Sequence, residues 1–131
     1  KGSVFVSVRD EDKENIFLLS QVLKKINFKI CATRGTAEFL LRFGIDTEIV
    51  NKVSEGTPHI LDLIEKKKIQ LIINTTSGRK SIADSFSIRR SAIRNKIPYF
   101  TTISAAKVAI TGLNIIKETK FSVKPIQDVY K

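Results

Sequence analysis

Short apolar segments alternate along this chain with segments whose apolar residues recur at helical spacing, and that alternation constrains the fold more than any other feature. Ser3–Val8 (SVFVSV), Phe28–Ala32 (FKICA), Thr47–Val50, Gln70–Asn74 (QLIIN) and Ile97–Thr101 read as strands. Helical stripes lie between them. Ile16, Leu19, Leu23 and Ile26 form the first, with Lys24 and Lys25 in its last turn; Phe39, Leu40 and Phe43 form the second, which stops at Gly44. The third carries Ile60, Leu61 and Ile64 and is entered through Thr57 as N-cap and Pro58 as first helical residue. A fourth runs from about Ile82 to Asn95 and a last long helix from about Ala105 to Ile116, followed by an edge strand near Phe121–Val123 before Pro125. Strands joined through helices of about ten or more residues need right-handed crossovers. The predicted architecture is therefore α/β: a Rossmann-like three-layer sandwich with a mostly parallel five-stranded sheet, forming one domain over residues 1–131.

Composition narrows the class. With 131 residues, 42% of them hydrophobic, the chain is long enough for one real core, which excludes a disordered tail or a disulfide-stapled miniprotein. The single cysteine, Cys31, makes no internal disulfide and no metal cluster, which fits a reducing, cytoplasmic setting. No apolar run approaches the roughly 20 residues that span a bilayer, and no signal-peptide pattern opens the chain. It starts at Lys1 rather than Met, as an excerpt of a longer protein would. The net charge of +10 is lopsided: residues 1–65 carry 9 basic and 10 acidic side chains, residues 66–131 carry 14 and 3. That asymmetry points to an anionic partner, or to a solvated lysine-rich surface. Aromatic content of 8% without Trp argues against a stacking platform for nucleic acid.

In open parallel sheets ligands bind beyond the carboxyl ends of the strands. The turns there bring Ser7, Arg9 and Lys13 after strand one, Thr33, Gly35 and Thr36 after strand two, Asn51 and Lys52 after strand three, and Asn74–Lys80 after strand four. Thr33-Arg34-Gly35-Thr36 suits an anion: two hydroxyls, a glycine for close backbone approach, and the amides of a helix start. The plainer alternative makes Thr36 an N-cap and Gly35 a turn residue. Seven consecutive polar residues from Asn74 to Lys80 exceed what a turn requires; Asn and Thr can read a ribose or base, and Arg79 and Lys80 can hold a phosphate or a carboxylate. With Lys13 and Lys52 near two threonines, these turns predict a site for a phosphorylated metabolite. Candidates for catalysis are scarce. His59 reads as a helix-start residue or cap, Cys31 as a core residue, Asp84 and Glu55 have no evident partner, and Arg89-Arg90 faces solvent or a neighbouring domain.

Several of these segments, taken together, resemble one family. Ser7-Val8-Arg9 with Lys13, Ala32–Thr36, Asn51–Gly56, Asn74–Arg79 and Ile88–Ala92 are similar to the C-terminal allosteric domain of the carbamoyl phosphate synthetase large subunit, in the methylglyoxal synthase-like superfamily. The resemblance implies a non-catalytic regulatory domain that binds UMP or IMP. It implies Lys13, Thr33, Gly35, Thr36 and Lys52 around the phosphate, and Asn74, Thr75, Thr76 and Ser77 at the ribose and base. Tyr99 and Thr101 would meet ornithine, although Phe100 between them departs from the family pattern. Arg79 and Lys80 would face the rest of the subunit. The implied parent is a glutamine-dependent ligase of pyrimidine and arginine synthesis, with ATP-grasp and oligomerisation domains and a glutaminase small subunit. It would use ATP with Mg or Mn and K; the domain itself would hold no cofactor or metal and touch neither nucleic acid nor membrane. The alternative is an autonomous methylglyoxal synthase-like lyase acting on a phosphorylated triose. That enzyme needs aspartates where this chain has Ser54-Glu55-Gly56 and Thr75-Thr76-Ser77.

Overall fold

The computed structural model describes residues 2–51, 59–76 and 79–122; the side chains at 79–84, 114 and 116–122 lie outside that description. The chain runs β1 (Gly2–Ser7), a 3-10 turn (Asp10–Asp12), α1 (Lys13–Lys25), β2 (Phe28–Ala32), α2 (Arg34–Arg42), β3 (Glu48–Ile49), α3 (Ile60–Glu65), β4 (Leu71–Asn74), α4 (Arg79–Arg94), β5 (Tyr99–Phe100) and α5 (Ile103–Ser122). Five strands form one sheet in the order β3-β2-β1-β4-β5, and every pairing is parallel. β1 is central, with Val6 beside Ala32 on one flank and Ile73 on the other.

Alternation along β1 sorts the side chains into two cores, because successive residues of a strand point to opposite faces. Val4 and Val6 join Ile16, Leu19 and Leu23 of α1, Leu40 of α2 and Ile110 of α5. Phe5 and Ile72 face the other way, onto Ile60 and Ile64 of α3 and Ile88 and Ala92 of α4. Helices therefore cover both faces, and the strands are short and apolar as a doubly covered parallel sheet requires. After β3 the chain reverses its direction of travel across the sheet, so β1 and β4 lie side by side while their connections leave in opposite directions. That switch point opens a crevice at their carboxyl ends.

Helix ends follow the expected chemistry at Gly44 and depart from it elsewhere. Gly44, at φ +85°, ends α2: its amide bonds to Leu41 and that of Ile45 to Leu40, the paired bonds of a Schellman cap. Lys67 (φ +59°) and Lys96 (φ +58°) take the same left-handed conformation after α3 and α4. Four sequence expectations are corrected. α3 starts at Ile60, with His59 as its cap: Leu61 N donates to His59 Nδ1 at 3.2 Å and His59 N to Asp62 Oδ2 at 2.9 Å. Thr57 and Pro58, expected to cap and open it, lie outside the described residues. α4 starts at Arg79, three residues before Ile82, because nothing after Gly78 opposes helix and Arg and Lys favour it. β5 is only Tyr99–Phe100; Pro98 stays outside it, although its carbonyl accepts from Ile72 N at 2.9 Å. Phe121 and Ser122 continue α5 instead of forming a strand, since three alternating residues do not override the helix formers Lys117–Lys120. Val123 and Pro125 lie outside the described residues.

Candidate functional site

A polar cleft of about 260 Å³ lies at the carboxyl ends of the sheet and is lined from three turns: Ser7–Lys13 after β1, Thr33–Thr36 after β2, and Thr75 after β4. Threonines knit its floor. Thr36, 2% exposed, accepts from Val8 N at 3.2 Å, and Thr75 accepts from Arg9 N at 2.9 Å. Two hydroxyls 39 residues apart in sequence thus grip consecutive amides of the β1 turn. Thr75 N also donates to Ser7 O at 2.9 Å, and Thr33 Oγ1 donates to Ser7 Oγ at 3.2 Å.

The residue that caps α2 is Thr33, in extended backbone, with no bond from its side chain to the helix; Thr36 is helical and not a cap. The first helical bond runs from Ala37 N to Thr33 O at 2.8 Å. The amides of Arg34, Gly35 and Thr36 precede it and have no partner within the helix, a geometry that favours anions. Gly35 is likewise helical and not a turn residue. A Cβ there would meet only Lys13 Nζ, at 3.9 Å, so the fold tolerates a methyl that would project toward the cleft's cation.

Lys13 opens α1, and its Nζ is hydrogen-bonded to the Asp10 carboxylate. Lys13 holds the Asp10 carboxyl below the usual carboxylate range, first by that hydrogen bond and then by charge. Arg9 Nε pairs with Asp12 Oδ2 at 2.8 Å, and this bond and charge push the guanidinium up. The acids Asp10 and Glu11 line the cleft beside these cations. The i,i+3 spacing of Arg9 to Asp12 and of Asp10 to Lys13 is the sequence signal for these two pairs.

Other predicted positions fall as follows. Lys52, Ser77 and Glu55 lie outside the described residues, as do the side chains of Arg79, Lys80 and Asp84. Asn51 pairs with His59 in an isolated bridge. Asn74 is buried at the end of β4, and its Nδ2 donates to Ser85 Oγ at 2.8 Å and Tyr99 OH at 2.9 Å, tying β4 to α4 and β5. Thr76 is half-buried just beyond. Tyr99 and Thr101 part company: Tyr99 turns to Asn74, while Thr101 is exposed and lines a second cleft of about 560 Å³ between α1 and the start of α5, with Leu18 and Lys107. Cys31 is buried in β2, and burial pushes its thiol up to about 12. Arg89 and Arg90 are exposed, Arg90 lying 5.8 Å from the Phe86 ring centroid. No helix among the described residues is long and apolar enough to cross a membrane.

A parallel sheet with helices on both faces and a polar cleft at its switch point defines an open α/β domain of the doubly covered type. The MGS-like domain family model matches residues 15–101, and the chain belongs to that family. Over 130 residues it is 45% identical to the carbamoyl phosphate synthase large chain of Rhizobium meliloti, covering 99% of this chain and 11% of that one. It is 44% identical to the C-terminal section of the carbamoyl phosphate synthase large chain of Methanopyrus kandleri, covering 100% of this chain and 24% of that section. The chain therefore spans between a tenth and a quarter of the length of these relatives. Methylglyoxal synthase from Elizabethkingia anophelis shares the fold at a TM-score of 0.64 and 13% identity, over 84% of this chain and 77% of that one.

Proposed function

We propose that this chain is the effector-binding domain of a carbamoyl phosphate synthase large chain and that it binds a nucleotide monophosphate, UMP or IMP, by its phosphate. The observation that carries the reading is the cleft at the switch point, where Lys13, Thr33 and the amides of Arg34–Thr36 converge. Lys52 would complete the phosphate contacts, with Asn74, Thr75, Thr76 and Ser77 toward the ribose and base. On this reading the domain is regulatory, and the parent's ATP, Mg or Mn, and K act in ATP-grasp domains elsewhere. A glutaminase subunit supplies ammonia, the setting is cytoplasmic, and ornithine is a second ligand near Tyr99 and Thr101. Arg79 and Lys80 would carry occupancy to the neighbouring domain, because an effector acts only by binding two conformations unequally.

Parallel calorimetric titrations with UMP, IMP and inorganic phosphate test the reading. Binding of one nucleotide, competed by phosphate, is expected; no binding of any of the three overturns it. The alternative lyase acting on a phosphorylated triose draws on the carboxylates of Asp10 and Glu11 in the cleft. Lys13 holds Asp10 in its weakly basic state, which disfavours proton abstraction by that group. Release of methylglyoxal from dihydroxyacetone phosphate, abolished by a carboxylate substitution, would establish the lyase instead.

A further inference from the structure

Among the described residues, the cleft that suits an anion is lined by as many acids as bases. Arg9 and Lys13 supply two positive charges, Asp10 and Glu11 two negative ones, although the chain as a whole carries +10. The acids come from one 3-10 turn, and that turn also positions Asp12 on Arg9. The pair between Asp10 and Lys13 is unequal in its surroundings. The Lys13 side chain is 18% exposed, whereas that of Asp10 is 92% exposed. Lys13 Nζ also stands 3.9 Å from where a Cβ on Gly35 would lie, beside the first turn of α2. The ammonium is thus held at the anion-suited amides, while the carboxylate is the partner that can swing into water. A pair whose carboxylate is this exposed gains little from Coulomb attraction on that side and opens through movement of the acid.

We propose that Asp10 is a built-in competitor for the anion: its carboxylate holds the Lys13 ammonium, and a phosphate reaches that ammonium by exchanging with it. This rests on the phosphate-site reading above. Two terms act against the incoming anion: the Lys13 pair must open, and the released carboxylate remains a like charge close by. The turn Asp10–Asp12 thereby sets the concentration at which the site fills, and residue 10 is a determinant of affinity that touches the ligand only through Lys13.

Inorganic phosphate and UMP are titrated calorimetrically into the wild-type chain, Asp10→Asn, Asp10→Ala and Glu11→Gln. The same titrations are run on Lys13→Met with and without Asp10→Asn. Both Asp10 variants are expected to bind phosphate about three- to tenfold more tightly, and Glu11→Gln less than about twofold more tightly, since Glu11 is a like charge in the cleft without Lys13 as its partner. In the Lys13→Met background Asp10→Asn is expected to change affinity by less than about twofold, because the exchange no longer exists. Unchanged or weaker binding by the Asp10 variants overturns the competitor, and so does an equal gain in the Lys13→Met background, which would mean simple charge repulsion. If neither phosphate nor UMP binds the wild type or any variant, the phosphate site itself falls and the competitor with it. Binding by the wild type without a gain in the variants removes the competitor alone.

Discussion

On the β2 and β4 sides of the cleft, Thr36 and Thr75 are buried and hold the amides of Val8 and Arg9; on the β1 side, Arg9, Asp10, Asp12 and Lys13 pair three residues apart at the surface. The first set joins residues 28 and 66 positions apart, so it closes the fold as well as lining the site. The second set is local to one turn. Neutral groups in low dielectric are costly to leave unpaired, whereas exposed ion pairs contribute little. The proposed anion site thus draws its charge from the local pairs and its closure from the buried threonines, so stability and affinity are expected to respond to different substitutions.

The largest effect is expected at Thr36. Thr36→Val keeps the shape but leaves the Val8 amide without its acceptor, which should cost about 2 kcal/mol in urea unfolding. A loss below about 0.5 kcal/mol would put the structural role elsewhere and break the comparison. Lys13→Met should do the opposite. It is expected to weaken phosphate or UMP binding about tenfold, or about 1.4 kcal/mol, with the unfolding midpoint essentially unchanged. Should stability fall as far as affinity, the charged half is structural too.

Thr75→Val repeats the Thr36 experiment on the partly exposed Arg9 amide and should cost about 1 kcal/mol, less than Thr36 because water can reach the orphaned group. Gly35→Ala sharpens the contrast further. The new methyl finds ordinary space and a helical backbone, so stability should stay within about 0.5 kcal/mol, while phosphate binding weakens because the methyl projects toward Lys13. Unaltered phosphate affinity in this variant would move the anion away from α2. The smallest effect concerns pH. The folded-state pKa of Asp10 is depressed below 3.8, so its pairing stabilises the fold above that value and the contribution disappears as pH falls through the lower, folded value. Unfolding curves of wild type and Asp10→Asn should therefore converge in strong acid; a gap that widens instead would reverse the sign of the pairing.

Much of this was readable beforehand where the signal is local. β2 occupies the predicted Phe28–Ala32, and the stop at Gly44 is a Schellman cap, because an apolar run and a glycine act through their immediate neighbours. Lys67 and Lys96 adopt the same left-handed backbone with no residue preference to announce it; the closure of α3 and α4 onto the following strands imposes it. The sequence marks His59 as a helix-start residue or cap, and the reciprocal bond from its amide to the Asp62 carboxylate completes that role at α3. The place of Asn74 at the end of β4 is legible in the sequence, whereas the bonds its Nδ2 donates to Ser85 and Tyr99, 11 and 25 residues further on, are not.

Hydrophobic alternation and its period determined by themselves that this chain builds a parallel sheet between two helical layers, and which turns gather at its carboxyl edge. Burial of a two-sided core leaves few other arrangements for such a pattern. Only the tertiary structure decided which hydroxyls in those turns hold backbone and which charges are already paired. Those partners are chosen by proximity between segments distant in sequence, and by burial, which sets how strongly an unpaired polar group is penalised.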